Sequence, residues 1–349
     1  MIRKGHFPFL PEPMPSDPAD TRRSNRSRLL QSIITRGPAT RAELSRRLGL
    51  SRPTISVIVG ELLTVGVITE GDRVSSGGAP GTLLEISKQT GVITVADLRS
   101  PNEVRLAAVS AAGEVVTADD VRAVTTDQVL AAVTTFIERC EPQTVIGVVL
   151  AVPGMVVRGE WSGTDERDGE ALALGLRRAL RLPVLAVNAA EATAIADLRD
   201  SPSDVGMATI MLDDVVSVAL ILGGRLHSGV RRPTGEITHL VPGTPGPVCD
   251  QCGRECLVAQ LRTLSLPSVD ASAPAVAAVL APIAAAVELG DVVLSGFPEQ
   301  TAEALAPLVQ EELRTRMPPA EVPEVRVSRR GAAATPIGAA ALLLYRILG

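Results

Sequence analysis

The sequence predicts an α/β chain in two unlike parts: a small N-terminal helix-turn-helix module with a β-hairpin, then a larger body of alternating strands and helices. Three observations carry this expectation. From Thr90 onward, short Val/Ile/Leu runs such as VITVADL, TVIGVVLAVPG and DVVLSGF alternate with small-residue segments such as VLAAVTTFIERC and ALALGLRRAL, the pattern of largely buried sheets interleaved with helices. Before that point, apolar residues recur at helical spacing between turn and capping residues. Charge divides the chain at the same place. Residues 1–88 carry thirteen basic and eight acidic side chains, a net +5, whereas the whole chain carries −5, so the remainder carries −10.

Bulk composition narrows the class. With 46% hydrophobic but only 2% aromatic residues among 349, the cores must be built from Ala, Val, Leu and Ile. The start, MIRKGHFPFLPEPMPSDPAD, has no apolar run resembling a signal peptide and is broken by prolines. The most apolar long stretch, Ala275 to Leu294, contains Pro282, Glu288 and Asp291, and reads as a helix followed by a strand rather than a membrane span. A cytoplasmic, nucleoid-associated protein is therefore expected, with reduced thiols.

The elements follow in order. Residues 1–22 read as a disordered, proline-rich tail, and 23–88 as one compact unit. Leu29, Leu30, Ile33 and Ile34 define the buried face of a first helix that Gly37-Pro38 ends. Thr40 caps a second helix, with Glu43 completing a capping box. Gly49-Leu50 makes a tight turn. Ser51 then caps a third helix carrying Pro53 in its first turn, with Ile55, Ile58, Val59, Leu62 and Leu63 facing inward. Helix, glycine turn, helix is the helix-turn-helix pattern. Residues 21–60 hold nine arginines against the single acid Glu43, a balance suited to a polyanion. Ser51, Arg52, Thr54 and Ser56 open the third helix, where base edges are read, and Arg52 can fork onto guanine. Arg41, Arg46 and Arg47 suit phosphates. The plainer alternative is a helical hairpin with an arginine-rich surface, but capping, turn and charge agree on double-stranded DNA. VITEGDRVSSGGAPGTLLEI then reads as a β-hairpin wing turning at Ser75–Gly78, with Arg73 its only basic residue.

Late in the body lies GEITHLVPGTPGPVCDQCGRECLVAQ, which gathers Cys249, Cys252 and Cys256 around residue 250, with His239 upstream. In a reducing compartment such clustering favours a metal over a disulfide. A redox-active CxxC is the rival, yet that motif usually opens a helix after a strand, and here a proline-glycine loop precedes it. Cys140 reads as an isolated core residue within a helix, while His6 and His227 read as exposed.

Taken together, these features resemble the winged-helix repressor branch of the ROK family (repressors, open reading frames and sugar kinases). The residues carrying the resemblance are the helix-turn-helix with its glycine wing, Val152-Pro153-Gly154, Leu182-Pro183-Val184 leading to Asn188, Gly235-Glu236-Ile237-Thr238-His239, the cysteine cluster and Gly338-Ala339-Ala340. The resemblance implies a two-lobed, actin-like sugar-kinase fold over 89–349: lobe one at about 89–190 plus the C-terminal helix, lobe two at about 191–334. It implies structural zinc (Zn2+) held by His239, Cys249, Cys252 and Cys256. The outer spacings agree with the family, while Cys252 stands one place late, in CxxC rather than CxC.

The same resemblance implies that the kinase chemistry is gone. The first phosphate turn would be Asp97-Leu98-Arg99-Ser100-Pro101, with arginine in place of glycine and a proline lacking its amide. The second would be Leu212–Val218, without glycine and with Asp213 and Asp214 facing the phosphates. Ala189 stands where the family has its catalytic aspartate, and Glu191 lies about 200° round the helix. Val258 stands at the glutamate of the sugar site. Asn188, Glu236 and His239 remain as candidate effector contacts, with Glu236 equally readable as a turn carboxylate. The expected function is a sequence-specific DNA-binding regulator, a repressor rather than an activator, working as a homodimer or tetramer on a palindromic operator. The alternatives are an active sugar kinase fused to a DNA-binding module, and an effector-independent regulator governed by a protein partner.

Overall fold

The computed structural model describes residues 18–74, 80–141, 143–164, 166–200, 205–212, 215–227, 235–262, 269–296 and 298–348. The tail before residue 18 with His6, the wing turn at Ser75–Gly78 and the Asp213-Asp214 pair lie outside them. The chain divides into two compact units: Met1–Ala151 with Arg158–Val187 and Pro336–Gly349, and Val152–Val157 with Asn188–Thr335.

The first unit opens with helix α1 (Pro18–Arg36), which takes in residues 18–22 that the composition had assigned to the tail. Helices α2 (Arg41–Leu48) and α3 (Arg52–Thr64) follow. Thr40 and Glu43 form the reciprocal capping box of α2, and Gly49 ends it in the left-handed region at φ 66°. Ser51 caps α3. Leu29, Leu30, Ile33 and Ile34 of α1 are buried, as are Ile55, Ile58, Val59 and Leu62 of α3; Leu63 is only half-buried. The wing is a hairpin of β2 (Ile68–Val74) and β3 (Gly81–Ile86), extended by a two-residue strand β1 (Ala39–Thr40) that pairs antiparallel with β3. This third strand, absent from the sequence reading, fastens the turn between α1 and α2 to the wing.

The body of the first unit is a five-stranded sheet in the order β6-β5-β4-β7-β8, with β4 (Val92–Asp97), β5 (Glu103–Ser110), β6 (Val115–Arg122), β7 (Val145–Val152) and β8 (Val184–Asn188). Strands β4, β5 and β6 form an antiparallel meander, and β7 joins β4 in parallel. Helices α4 (Thr126–Glu138) and α5 (Gly169–Leu180) belong to this unit, as does most of the C-terminal helix α10 (Ala334–Leu348). The buried Tyr345 of α10 hydrogen-bonds the buried Ser27 of α1 at 2.6 Å. Cys140 is buried as expected but lies just past the end of α4, its thiol donating to the Phe136 carbonyl.

The second unit repeats the same plan. Its sheet runs β11-β10-β9-β12-β13, from β9 (Gly206–Leu212), β10 (Val216–Leu222), β11 (Arg225–His227), β12 (Leu289–Ser295) and β13 (Glu324–Val327). Again three strands form an antiparallel meander, and the first of them takes a parallel neighbour on its other side. The two units thus share one sheet topology. Helices α6 (Ala189–Asp200), α7 (Leu257–Leu261), α8 (Val269–Val287) and α9 (Glu299–Arg316) complete it. The Ala275–Leu294 stretch is indeed helix then strand. By length and composition α8 and the 331–348 segment could each cross a membrane, but Val276, Leu280, Leu343 and Leu344 are buried in the fold. The second unit begins at Asn188, slightly before the expected lobe boundary, and it includes 152–157, which Asn188 holds through its side chain.

Candidate functional site

The N-terminal helices present two groups of polar side chains. Arg52 and Ser56 are exposed on α3 at positions i and i+4, so they share one face. Thr54 does not join them. It lies about 200° round from Arg52, its N–H donates to Ser51 Oγ at 3.2 Å, and its hydroxyl is 2.8 Å from the same atom. Ser51 and Thr54 thus share the cap of α3.

Arg46 and Arg47 are exposed in the last turn of α2, favourably placed at the negative end of its dipole. The Thr40 backbone hydrogen bond chiefly holds the Glu43 carboxyl below its usual value, against burial, with the Thr40 side chain, Arg47 and Arg46 helping. Arg41 pairs with Glu70 at 2.9 Å on the surface, a bond of small net worth that a phosphate can replace. Arg73 is exposed on the wing, but β2 and β3 also carry Glu70, Asp72 and Glu85. The described wing is thus net acidic and ill-suited to the minor groove.

In the second unit, His239, Cys249, Cys252 and Cys256 converge, with one donor atom of each within 4.8 Å of all the others. The backbone produces this convergence. Leu257 N–H donates to Leu240 O and Val258 N–H to Thr238 O, which brackets His239 over Cys256 at the start of α7. Cys249 N–H donates to Arg254 O, and Gly253 N–H to Cys249 O, closing the CxxC into a knuckle. The extra residue between the first two cysteines is absorbed in that turn, so the displaced Cys252 still reaches the cluster. His239 Nδ1 lies 3.5 Å from Cys256 Sγ and 3.9 Å from Cys249 Sγ. Ligands about 2.1–2.3 Å from a tetrahedral ion sit roughly 3.5–3.8 Å apart, so the group can hold a metal ion. Burial pushes the Cys256 thiol up. Cys252 is pulled down to about 6, because hydrogen bonds from the Arg254 backbone, Cys256 and Cys249 outweigh desolvation.

The residues singled out as effector contacts have internal partners. Asn188 Oδ1 accepts from Ala190 and Glu191 N–H, capping α6, and its Nδ2 donates to Gly154 O at 2.6 Å. Glu236 is exposed, and its Oε1 accepts from the Thr238 N–H and hydroxyl, the turn carboxylate foreseen as its alternative. Ala189 is buried at the head of α6, and Val258 is part of the apolar core. In the first unit, the buried Asp97 is held by Arg99, whose Nη2 lies 2.7 Å from Oδ2 and whose Nε reaches both oxygens.

Two further polar centres escaped the sequence reading. Arg167 is 2% exposed and donates to five carbonyls: Val124 through Nε, Leu98 and Ser100 through Nη1, Pro101 and Ala123 through Nη2. Burial lowers its pKa, opposed by Glu166. Gly163, at φ 100°, makes room for this turn, since a Cβ there would stand 1.9 Å from Arg167 O. The turn of Leu98–Pro101 is thereby filled by a cation of the chain itself. The second centre is Asp197 on α6, fully buried, which accepts from Ser328 at 2.8 Å and Thr209 at 3.5 Å. Desolvation pushes its carboxyl up to about 6, against those hydrogen bonds and the nearby Arg326. Arg167 sits in a polar stretch with no apolar periodicity to mark it as buried, whereas Asp197 lies within the apolar run Ala192–Leu198 of α6, a signal that could have found it.

The profile of the ROK family matches residues 101–261, and that of the winged helix-turn-helix DNA-binding class matches residues 22–69. The chain is 24% identical over 257 residues to the xylose repressor of Bacillus subtilis (strain 168), covering 69% of this chain and 66% of that one. The chain thus spans about two thirds of the length of the curated relatives it matches. A crystal structure of a ROK family transcriptional regulator, a homolog of the E. coli MLC protein, superposes with a TM-score of 0.71 at 20% identity, over 94% of this chain and 98% of that one. A ROK family glucokinase from Streptomyces griseus, solved with glucose and AMPPNP, superposes with a TM-score of 0.61 at 18% identity, over 72% and 99%.

Proposed function

Because the chain carries a ROK-family domain behind a winged helix-turn-helix, we propose that it is a sequence-specific DNA-binding repressor whose body does not phosphorylate sugars. The observation that carries this reading is the capped helix α3, which offers Arg52 and Ser56 to the major groove beside the exposed Arg46 and Arg47 of α2. The names of the relatives, xylose repressors among them, support the same direction. The body supplies dimerisation, pairing two α3 helices on a palindromic duplex, and a dimer or tetramer is the working assembly. Binding to chromosomal DNA places the protein in the cytoplasm.

The test is binding of the full chain to genomic fragments across a salt series. Arg52→Ala should cost about 1–3 kcal/mol and relax specificity at one base pair. Arg46→Ala should weaken binding to all duplexes alike and reduce the salt slope by about one. Salt-insensitive, sequence-blind binding by the unaltered chain would sink the proposal.

What supports the loss of kinase activity is chemical. Ala189 cannot take a proton from a sugar hydroxyl. The Asp97 carboxylate is neutralised by Arg99, and the adjoining turn offers its carbonyls to Arg167. Release of ADP from ATP with any hexose would favour the rival reading of a kinase fused to a DNA-binding module. Asn188, Glu236 and His239 are the candidate contacts for a ligand with fewer hydroxyls than a hexose, which would have to displace the bonds they make within the chain.

For the metal we propose zinc, because three thiolates and one imidazole in a closed set of four match its preference and leave no open position for hydrolysis. Purified protein should carry about one zinc per chain by elemental analysis. Cys256→Ala should lose it and lower the melting temperature, since the ligand loop packs on the core of the second unit. A metal-free chain with an unchanged melting curve would refute the assignment.

A further inference from the structure

Helix α3 carries a bare patch that the fold does not account for. Val57 is 54% exposed, the second most exposed large apolar side chain of the N-terminal helices after Val65. Gly60 lies three residues on, in the middle of the helix. Its φ is not positive, and a Cβ there would meet nothing within 4 Å. Neither backbone strain nor a crowded neighbour therefore asks for glycine, and glycine weakens an exposed helix. Its effect is local. Helical side chains lean toward the N-terminus, over the residues three and four places back. A side chain at 60 would lie across Ser56 and Val57, and without it both stand uncovered, one turn beyond Arg52.

Resting on the DNA-binding reading above, we propose that Val57 is a base-reading residue whose methyls pack against the 5-methyl of a thymine, and that position 60 is glycine so that this contact can form. The chemistry is selective. The thymine methyl is the apolar feature of the major-groove edge, the other features being hydrogen-bonding donors and acceptors. Valine has no polar atom to pair with those, and its β-branched side chain holds nearly one rotamer in a helix, so little freedom is lost on contact. Of the other methyl-bearing side chains near the start of α3, Ile55 is buried and the Thr54 hydroxyl bonds Ser51.

The full chain should be used to select duplexes from a random-sequence pool, and each thymine of the selected site replaced singly by deoxyuridine, which removes only the 5-methyl. At one thymine per half-site the unaltered chain should lose about fourfold in affinity, the worth of one buried methyl. Val57→Ala should bind the thymine and deoxyuridine duplexes equally at that position, while losses at other thymines persist. Gly60→Gln should raise the melting temperature yet weaken binding and blunt the discrimination. The proposal is overturned if no deoxyuridine weakens binding, or if Val57→Ala still discriminates. Selection of no duplex at all would instead sink the DNA-binding reading, and this inference with it.

Discussion

Arg167→Met should cost the first unit on the order of 3–5 kcal/mol of stability. The five N–H donors of the guanidinium reach five main-chain carbonyls, from Leu98, Ser100, Pro101, Ala123 and Val124. Each of those oxygens is desolvated, and each left unsatisfied costs about 1–3 kcal/mol less whatever water can recover. Methionine fills the volume but donates nothing. Arg167→Lys should fall between the two, because an ammonium has three donors where five are needed. The sole tryptophan, Trp161, belongs to the same unit and is buried, so its fluorescence in a denaturant titration reports the unit concerned. A loss below about 1 kcal/mol in the methionine variant would mean that the carbonyl cage does not depend on the cation.

The second large effect runs the other way. Asp197 is buried on α6 with its carboxyl raised to about 6 from 3.8. Below about pH 4 the group is protonated in both the folded and unfolded chain, and folding is undisturbed. As pH rises from about 4 to 6 the unfolded chain ionises first, so folding must retain a proton and stability is lost progressively. Above about pH 6 the whole penalty stands, two pKa units or up to about 3 kcal/mol. Asp197→Asn has no charge to desolvate. Its carbonyl can still accept from Ser328, and its amide can donate to the Thr209 hydroxyl, the groups that now bond the carboxyl. Calorimetry should therefore show a higher melting temperature for the variant at pH 8, by several degrees, with the gain shrinking toward pH 4. A gain independent of pH, or a loss at pH 8, would contradict the burial-driven shift.

Asp200, Arg330, Arg326 and Asp291 surround this centre. Arg330 forms a two-pronged pair with Asp200 across 130 residues of sequence, and Arg326 Nε lies 3.6 Å from Asp291. A carboxylate left unneutralised amid such pairs is a place where stability has been given up, and the variant measures how much.

Much of the N-terminal module was legible because its signals are local. Thr40 with Glu43, Ser51 with Pro53, and Gly49 at a helix end each act within about one turn of helix, and each does so in the structure. The cysteine spacing was equally local, and the knuckle at Cys249–Cys252 tolerates the shifted residue because its turn closes through Gly253. What stayed hidden were contacts between distant segments. The strand Ala39–Thr40 exists only because β3 arrives beside it. Arg167, within the polar run Thr164–Asp168, gave no sign that carbonyls up to 69 residues away would enclose it.

By itself the sequence determined the helix-turn-helix with its caps, the alternation of strands and helices behind it, the charge division and the clustering of His239 with three cysteines. Each depends on residue type and short spacing. Only the tertiary structure decided which polar side chains are left to act. Asn188 is taken by Gly154 thirty-four residues away, and the carbonyls of Leu98, Ser100 and Pro101 by Arg167, while Ser56 stands clear. The physical reason is that a hydrogen-bonding group acts on a partner only if the fold has not already satisfied it, and that depends on where the rest of the chain comes to lie.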